Sequence, residues 1–174
     1  LDPEPSRLPE ALRSLPLGEA IAELNRLVIR ATAALAAAYK PNIAFYEALG
    51  DEGMAALRST MESAHELAPD VPVVMDAKRA DIGNTNSKYV KAIYDDLGAD
   101  AVTLHPYLGP EAVEPFLEVA DRGVFVLCRT SNPGAGRYQD LLVGGRPLYL
   151  HIAEDVATTW NHNGNCGLVV GATY

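Results

Sequence analysis

The sequence predicts an α/β fold in which helices cover a parallel sheet, closed into a (β/α) barrel rather than left as an open sheet. Short apolar segments alternate with longer segments of helical periodicity through the 174 residues. Polar and glycine-rich residues follow the apolar segments, as at the carboxyl ends of strands in (β/α) folds. An open doubly wound sheet is the alternative. It is disfavoured because no GxGxxG or P-loop motif opens the first helix.

The first half of the chain predicts three helices and two strands. Alanine-rich residues with apolar side chains at helical spacing predict the first helix, and Pro69 and Pro72 end the second. Asn84 or Thr85 is the predicted cap of the third helix. The predicted elements are a helix over 17–39, a strand over 43–45, a helix over 54–67, a strand over 73–75 and a helix from 84 or 85 to 97.

The second half repeats the alternation. The predicted elements are a strand over 101–104, a helix over 111–119, a strand over 123–127, a looser stretch over 135–147, a helix through Ile152 and Val156, and a strand over 167–170. A complete barrel has eight strands and typically about 250 residues. We therefore expect one domain over residues 1–174, an incomplete barrel of about six βα units whose N- and C-terminal parts lie outside the chain.

Composition excludes several classes of function. The formal net charge is −9 and no basic stretch is present, so neither nucleic acid nor an anionic membrane is an expected partner. No apolar run approaches the roughly 20 residues of a membrane span. Cys128 and Cys166 lack metal-site spacing, which predicts two buried, reduced thiols and a cytoplasmic protein.

The most informative segment follows the apolar run 71–75 and carries Asp76, Lys78 and Asp81. In an extended strand Asp76 and Lys78 would share a face, and Lys40 precedes the neighbouring strand. Charges at the end of a buried strand are costly unless they serve a site, so an active site is predicted. The alternative, a surface salt-bridge cluster, is expected at i, i+4 spacing on a helix.

Lys78 has two possible chemical roles. As an ammonium it can donate a proton, and the flanking aspartates favour that charged form. As a neutral amine it can form a Schiff base, which requires an apolar pocket. The local sequence therefore favours proton donation.

Further candidates are weaker. The turn over residues 130–134 supplies a hydroxyl, an amide and backbone N–H groups suited to a planar polar ring, yet it is also an ordinary turn composition. His105 lacks a second metal ligand at suitable spacing and is interpreted as a structural histidine with satisfied hydrogen bonds. Arg79 should point away from Asp76 and Lys78, and is interpreted as structural or solvated.

The motif Asp76-x-Lys78-x-x-Asp81-Ile82-x-x-Thr85 resembles the signature of the orotidine 5'-phosphate decarboxylase family. The similarity extends to its bacterial type 2 branch through several other segments. These are Leu1-Asp2-Pro3, Lys40-Pro41-Asn42-Ile43-Ala44-Phe45-Tyr46-Glu47, His105-Pro106-Tyr107-Leu108-Gly109, Thr130-Ser131-Asn132-Pro133-Gly134 and Val170-Gly171-Ala172-Thr173. The DxKxxD core alone is shared with related sugar-phosphate enzymes that include hexulose-phosphate synthases.

The resemblance implies a homodimeric barrel that converts orotidine 5'-monophosphate to uridine 5'-monophosphate without metal or organic cofactor, in de novo pyrimidine biosynthesis. It implies a role for each matched residue. Lys78 protonates C6, Asp76 opposes the substrate carboxylate, Lys40 completes the charge network and contacts the ribose, Asp2 accepts ribose hydrogen bonds, and Ser131 binds the pyrimidine amide edge. Asp81, Ile82 and Thr85 belong to the substrate site as well, with Asp81 and Thr85 reaching the neighbouring subunit's site.

The resemblance also implies a phosphate-binding glycine-rich loop and arginine, which we expect beyond residue 174. Two alternatives remain at this stage. One is a metal-dependent sugar-phosphate aldolase of the same architecture. The other is a truncated, non-catalytic barrel that serves only in binding or assembly.

Overall fold

The computed structural model describes residues 1–173, which form two compact units. The first comprises residues 1–77 and 95–100, and the second comprises residues 78–94 and 101–173. Because the boundary falls inside the charged segment, the candidate site residues are distributed between the two units.

The first unit is mostly helical. Two short 3₁₀ turns, Pro5–Arg7 and Glu10–Leu12, precede the helices. The helices are α1 (Leu17–Thr32), α2 (Ala44–Glu47) and α3 (Gly50–Leu67), and they lead to strand β1 (Val74–Arg79). Fully or almost fully buried side chains of this unit include Ile21, Ile29, Leu57, Met61, Val73 and Met75. Gly53 allows α3 to approach α2, because a Cβ at this position would overlap the Tyr46 carbonyl oxygen.

The strand predicted over 43–45 is wrong. The extended residues lie just before it, where Tyr39 and Asn42 form parallel bridges with Val73 and Asp76. The Asn42 side chain accepts the Ala44 N–H at 3.2 Å, which turns the chain into α2. The first helix likewise ends earlier than predicted, at Thr32, because the chain must reach those bridges.

A buried polar network joins the three helices of the first unit. Asn25 donates from its amide nitrogen to the Tyr46 hydroxyl and to Thr60 Oγ1, both at 2.9 Å. The Tyr46 hydroxyl donates to the Leu1 carbonyl at 3.1 Å. All three polar side chains are buried, so the network satisfies groups that would otherwise destabilise the core.

Burial raises the pKa of Tyr46 to about 12 from its usual value of 10.0. Below pH 10 the phenol is protonated in the folded and the unfolded chain; between pH 10 and about 12 only the unfolded chain releases the proton. The free energy of unfolding should therefore fall across this window, by about 2–3 kcal/mol. Urea unfolding at stepped pH should show this loss in full in the wild type and in Tyr107→Phe, which changes a tyrosine 90% exposed. The loss should be smaller by about 2–3 kcal/mol in Tyr46→Phe, where only other buried groups with a raised pKa, such as Tyr94 and Cys166, still contribute. A Tyr46 that ionises together with the exposed tyrosines in an absorbance titration would contradict the expectation.

The second unit contains a four-stranded sheet whose strands are, in order, β1, β2 (Ala101–Leu104), β3 (Gly123–Arg129) and β6 (Cys166–Val170). The end of β1 contributes Lys78 and Arg79 to this unit. The elements after β1 are α4 (Gly83–Val90), continued by a π-helical segment (Lys91–Asp96), β2 (Ala101–Leu104), α5 (Pro110–Leu117), β3 (Gly123–Arg129), α6 (Gly136–Gln139), β4 (Leu142–Val143), β5 (Arg146–Pro147), α7 (Leu148–Asp155), continued by a π-helical segment (Val156–Trp160), and β6 (Cys166–Val170). Strand β3 is parallel to both β2 and β6, with Ala101 opposite Gly123 and Val124 opposite Cys166.

Most elements of the second unit match the prediction, with three differences. Helix α4 begins at Gly83, so the predicted caps Asn84 and Thr85 lie inside its first turn. The stretch predicted to be loose contains α6 and the β4–β5 hairpin, and β3 extends two residues further, to Arg129.

The prediction for Cys128 and Cys166 is confirmed: both are buried and free. Burial raises the pKa of both thiols, that of Cys166 to about 11.

Among residues 1–173, no helix is long and apolar enough to cross a membrane.

Candidate active site

The first unit brings Lys40 and Asp76 into direct contact. Lys40 Nζ lies 2.8 Å from Asp76 Oδ2, with the lysine side chain half-exposed and Asp76 only 8% exposed. The backbone fixes the pair, because the Asp76 N–H donates to the Pro41 carbonyl at 2.9 Å and the Ile43 N–H donates to the Asp76 carbonyl at 3.2 Å. A carboxylate this buried requires a charged partner, and Lys40 supplies it.

Asp2 lies beside the same extended segment. The Asn42 N–H donates to Asp2 Oδ1 at 3.2 Å, and the Asp2 side chain is otherwise 42% exposed. The segment that carries Lys40 thus also holds Asp2. The first unit places three of the predicted site residues, Asp2, Lys40 and Asp76, around residues 40–42.

Lys78, the first residue of the second unit, has an unusual backbone conformation. Its φ is 47°, and that of Ala80 is 158°, values that residues with a side chain rarely adopt. The strict alternation expected of an extended strand therefore does not apply at Lys78. Strand β2 holds this backbone: the Lys78 N–H donates to Thr103 Oγ1 at 3.0 Å, and the His105 N–H donates to the Arg79 carbonyl at 3.0 Å. Such strain is typical of functional sites.

Asp81, Ile82 and Thr85 occupy the segment that enters α4. Thr85 is exposed and Ile82 is 61% exposed, whereas Asp81 is half-buried. The Ile82 N–H donates to Asp81 Oδ1 at 2.7 Å. This segment presents an apolar and a hydroxyl side chain at the surface, next to a carboxylate that is already oriented.

Asn86 orients that segment and was not identified from the sequence. Its side chain is fully buried, its Oδ1 accepts the Asp81 N–H at 3.2 Å, and its Nδ2 donates to the Ala112 carbonyl at 2.9 Å. Thr103 was also missed. The sequence offers two weak signals for these residues, an asparagine in the first turns of a predicted helix and a hydroxyl inside an otherwise apolar strand.

Ser131 lies at the carboxyl end of β3 and is exposed. The Gly171 N–H donates to the Arg129 carbonyl at 2.7 Å, which brings the end of β6 against this turn. A Cβ on Gly171 would lie 2.9 Å from the Ser131 Cβ and 3.1 Å from its nitrogen, so only glycine fits there. In the sheet order, Ser131 follows the strand two positions from β1, and the ends of β3 and β6 meet at one edge of the sheet.

Two other candidates have structural surroundings. The Arg79 guanidinium lies over the Tyr89 ring, 5.3 Å from its centroid, in agreement with a structural role. His105 follows β2, and its Nδ1 is buried without a hydrogen-bond partner among the described residues. The expectation of a fully satisfied histidine is therefore wrong for this nitrogen.

The candidate site residues fall into two sets, one in each unit. In the first unit an ammonium stabilises a buried carboxylate beside a second, solvent-accessible carboxylate. In the second unit an exposed lysine on strained backbone precedes a carboxylate-bearing turn, and a serine follows a neighbouring strand. These groups are suited to binding a polar, hydroxylated molecule and to moving a proton. Within residues 1–173, no three His, Cys, Asp or Glu side chains form a group that could hold a metal ion.

Residues 4–174 match the sequence profile of the orotidine 5'-phosphate decarboxylase / HUMPS family. An orotidine 5'-phosphate decarboxylase from Herpetosiphon aurantiacus is 54% identical over 175 residues, which cover 100% of this chain and 64% of the relative. One from Thermomicrobium roseum is 54% identical over 177 residues, covering 100% of this chain and 61% of the relative. The chain therefore spans less than two thirds of the length of these relatives.

Solved structures give the same result for the fold. An OMP decarboxylase from Leishmania donovani aligns with a TM-score of 0.83 and 46% identity, over 90% of this chain and 61% of that chain. UMP synthase from the same organism aligns with a TM-score of 0.86 and 46% identity, over 90% of this chain and 34% of that chain. The fold-class prediction is confirmed: the chain is α/β and represents part of a (β/α)8 barrel.

Proposed function

The chain belongs to the orotidine 5'-phosphate decarboxylase / HUMPS family, and we propose that the protein containing it decarboxylates orotidine 5'-monophosphate to uridine 5'-monophosphate in pyrimidine biosynthesis. The observation that carries the proposal is the Lys40–Asp76 ion pair, with a buried carboxylate on the strand that continues to Lys78. In the proposed reaction the bond between C6 and the carboxyl carbon breaks, carbon dioxide leaves, and the electron pair stays on C6. Lys78 donates a proton to C6 and is reprotonated from water.

The energetic requirement is a preference for the transition state over the bound substrate. Asp76 would oppose the substrate carboxylate, whose charge is lost with carbon dioxide, and the Lys78 ammonium would stabilise the negative charge that develops at C6. The pair with Lys40 keeps Asp76 in place as a charged group, since an isolated carboxylate this buried would be unfavourable. Preorganised charge of this kind needs no organic cofactor and no metal.

The other predicted residues have binding roles in this proposal. Lys40 and Asp2 would bind the ribose, and Ser131 the amide edge of the pyrimidine ring. Asp81, Ile82 and Thr85 would contribute to the substrate site, with Asp81 and Thr85 completing the site of a second subunit in a homodimer. A segment that is exposed, apolar at Ile82 and internally fixed by Asn86 suits such a contact. The phosphate-binding loop and arginine expected beyond residue 174 remain predictions. The cytoplasmic location of the protein also remains a prediction.

The test is turnover by the whole protein. Orotidine 5'-monophosphate should be consumed, as followed by its ultraviolet absorbance, with uridine 5'-monophosphate and carbon dioxide formed in equal amounts. Prior treatment with EDTA should leave the rate unchanged. Turnover of a ketose phosphate with EDTA sensitivity, and none of orotidine 5'-monophosphate, would instead identify the metal-dependent aldolase. If neither orotidine 5'-monophosphate nor the ketose phosphate is consumed, the result would favour the non-catalytic barrel.

A further inference from the structure

We propose that Arg129 and Asp140 are positioning residues that hold the Ser131 turn in the conformation that binds the pyrimidine ring, an inference that rests on the proposed function. Neither residue carried a signal in the sequence. The Arg129 guanidinium is unusually buried, and its contact with Asp140 joins the two ends of the loop over residues 129–140.

Arg129 is the last residue of β3 and its side chain is only 5% exposed. Its Nε donates to Asp140 Oδ1 at 2.7 Å, and one terminal nitrogen donates to Asp140 Oδ2 at 3.0 Å. The other terminal nitrogen donates to the Thr130 carbonyl at 2.6 Å. A planar, two-bond contact fixes direction as well as distance, and a guanidinium as buried as that of Arg129 needs the charged partner that the half-exposed Asp140 supplies.

A second set of bonds fixes the residues on each side of Ser131. The Thr130 N–H donates to Gln139 Oε1 at 2.9 Å, and Gln139 Nε2 donates to Thr130 Oγ1 at 3.0 Å. Thr130 Oγ1 in turn donates to Asn132 Oδ1 at 2.7 Å. Gln139 and Asp140 thus hold residues 129–132 from the far end of the loop, while Ser131 itself is exposed.

Close packing leaves this turn little freedom to shift. Gly136 lies against the ion pair, because a Cβ there would be 2.5 Å from Asp140 Oδ2 and 3.4 Å from a terminal Arg129 nitrogen. Gly171 lies against Ser131 in the same way. The Arg129–Asp140 pair therefore determines the position of the Ser131 hydroxyl without touching the substrate.

The test uses Asp140→Asn in the whole protein, which keeps the shape of the side chain and removes its charge. We expect KM for orotidine 5'-monophosphate and the Kd of uridine 5'-monophosphate to rise about tenfold, the effect of one misplaced hydrogen bond. kcat should change less than KM. Glu154→Gln is the matched control, because Glu154 and Arg146 form an exposed ion pair at 2.8 Å in the same unit, outside the loop over residues 129–140.

A double-mutant cycle separates positioning from general stability. In a Ser131→Ala background, Asp140→Asn should change KM less than about twofold, because the hydroxyl that the pair positions is already absent. If Asp140→Asn changes KM by the same factor in both backgrounds, or has no effect in either, the inference is overturned.

If Asp140→Asn does not fold, Gln139→Leu removes the two bonds to Thr130 without leaving a buried charge unpaired, and the same cycle applies to it. A wild type without turnover would overturn the proposed function and this inference together, whereas an active wild type with an unchanged Asp140→Asn variant would overturn this inference alone.

Discussion

Replacing Lys78 by alanine in the whole protein should lower kcat for orotidine 5'-monophosphate by at least about 10³-fold, since Lys78 is the proposed proton donor and its charge is proposed to stabilise the transition state. KM should change much less, because the phosphate and ribose contacts are proposed to be made by other residues. Steady-state kinetics by ultraviolet absorbance measure both quantities.

Two further variants test why Lys78 is required. Lys78→Arg keeps a positive charge, but a guanidinium does not release its proton and is differently shaped, so its kcat should remain close to that of Lys78→Ala. Lys88→Ala removes an exposed ammonium from α4 of the same unit and should leave kcat unchanged. A Lys78→Ala variant that retains more than about a tenth of the wild-type kcat would refute the role of Lys78 as the proton donor.

Stability provides an independent readout of the same position. The φ of 47° at Lys78 costs an alanine roughly 1 kcal/mol that a glycine does not pay. Lys78→Gly should therefore be about as stable as Lys78→Ala or more so, although glycine normally weakens a strand. Urea unfolding of the two inactive variants checks this. A clearly less stable glycine variant would argue against left-handed backbone at residue 78.

Much of the fold could be predicted from the sequence because most helices and strands of the second unit follow from short local patterns of apolar and turn-forming residues. Strand β2 has the predicted bounds, since three apolar residues and the β-branched Thr103 are followed at once by the turn-forming His105-Pro106. The prediction of a strand over 43–45 was wrong because the extended residues, Tyr39 and Asn42, are set by parallel bridges to Val73 and Asp76, which are distant in sequence. Tertiary pairing overrides local preference in such short segments.

The candidate site residues show the same difference between local sequence signals and tertiary contacts. Lys40 and Asp76 were predicted from charges placed at strand ends, and the structure pairs them. Asn86 and Arg129 were missed because their importance depends on burial and on partners at Ala112 and Asp140. The backbone conformation of Lys78 was missed for a similar reason, because the Thr103 hydroxyl and the adjoining strand hold it. The sequence thus predicted the paired charges of Lys40 and Asp76, but not the buried residues and backbone contacts that hold the neighbouring segments.

Mixing two inactive variants, Lys78→Ala and Asp81→Ala, should restore about a quarter of the wild-type activity if Asp81 completes the site of a second subunit. Random exchange makes about half of the dimers mixed. In a mixed dimer one site carries both substitutions and the other carries neither. Each pure dimer has only defective sites, so all of the recovered rate comes from the single intact site of the mixed dimer.

The control for this experiment is a mixture of Lys78→Ala with Asp76→Asn. Both residues are proposed to serve the site of their own subunit, so every site in every mixed dimer is defective and the mixture should stay inactive. The recovered rate should also rise with the time allowed for subunit exchange, and it should fall when the mixture is diluted below the dimer dissociation constant. No recovery with Asp81→Ala, at a concentration where a dimer is seen by light scattering, would show that Asp81 serves its own subunit. Equal recovery with Asp76→Asn would instead place Lys78 and Asp76 in sites of different subunits.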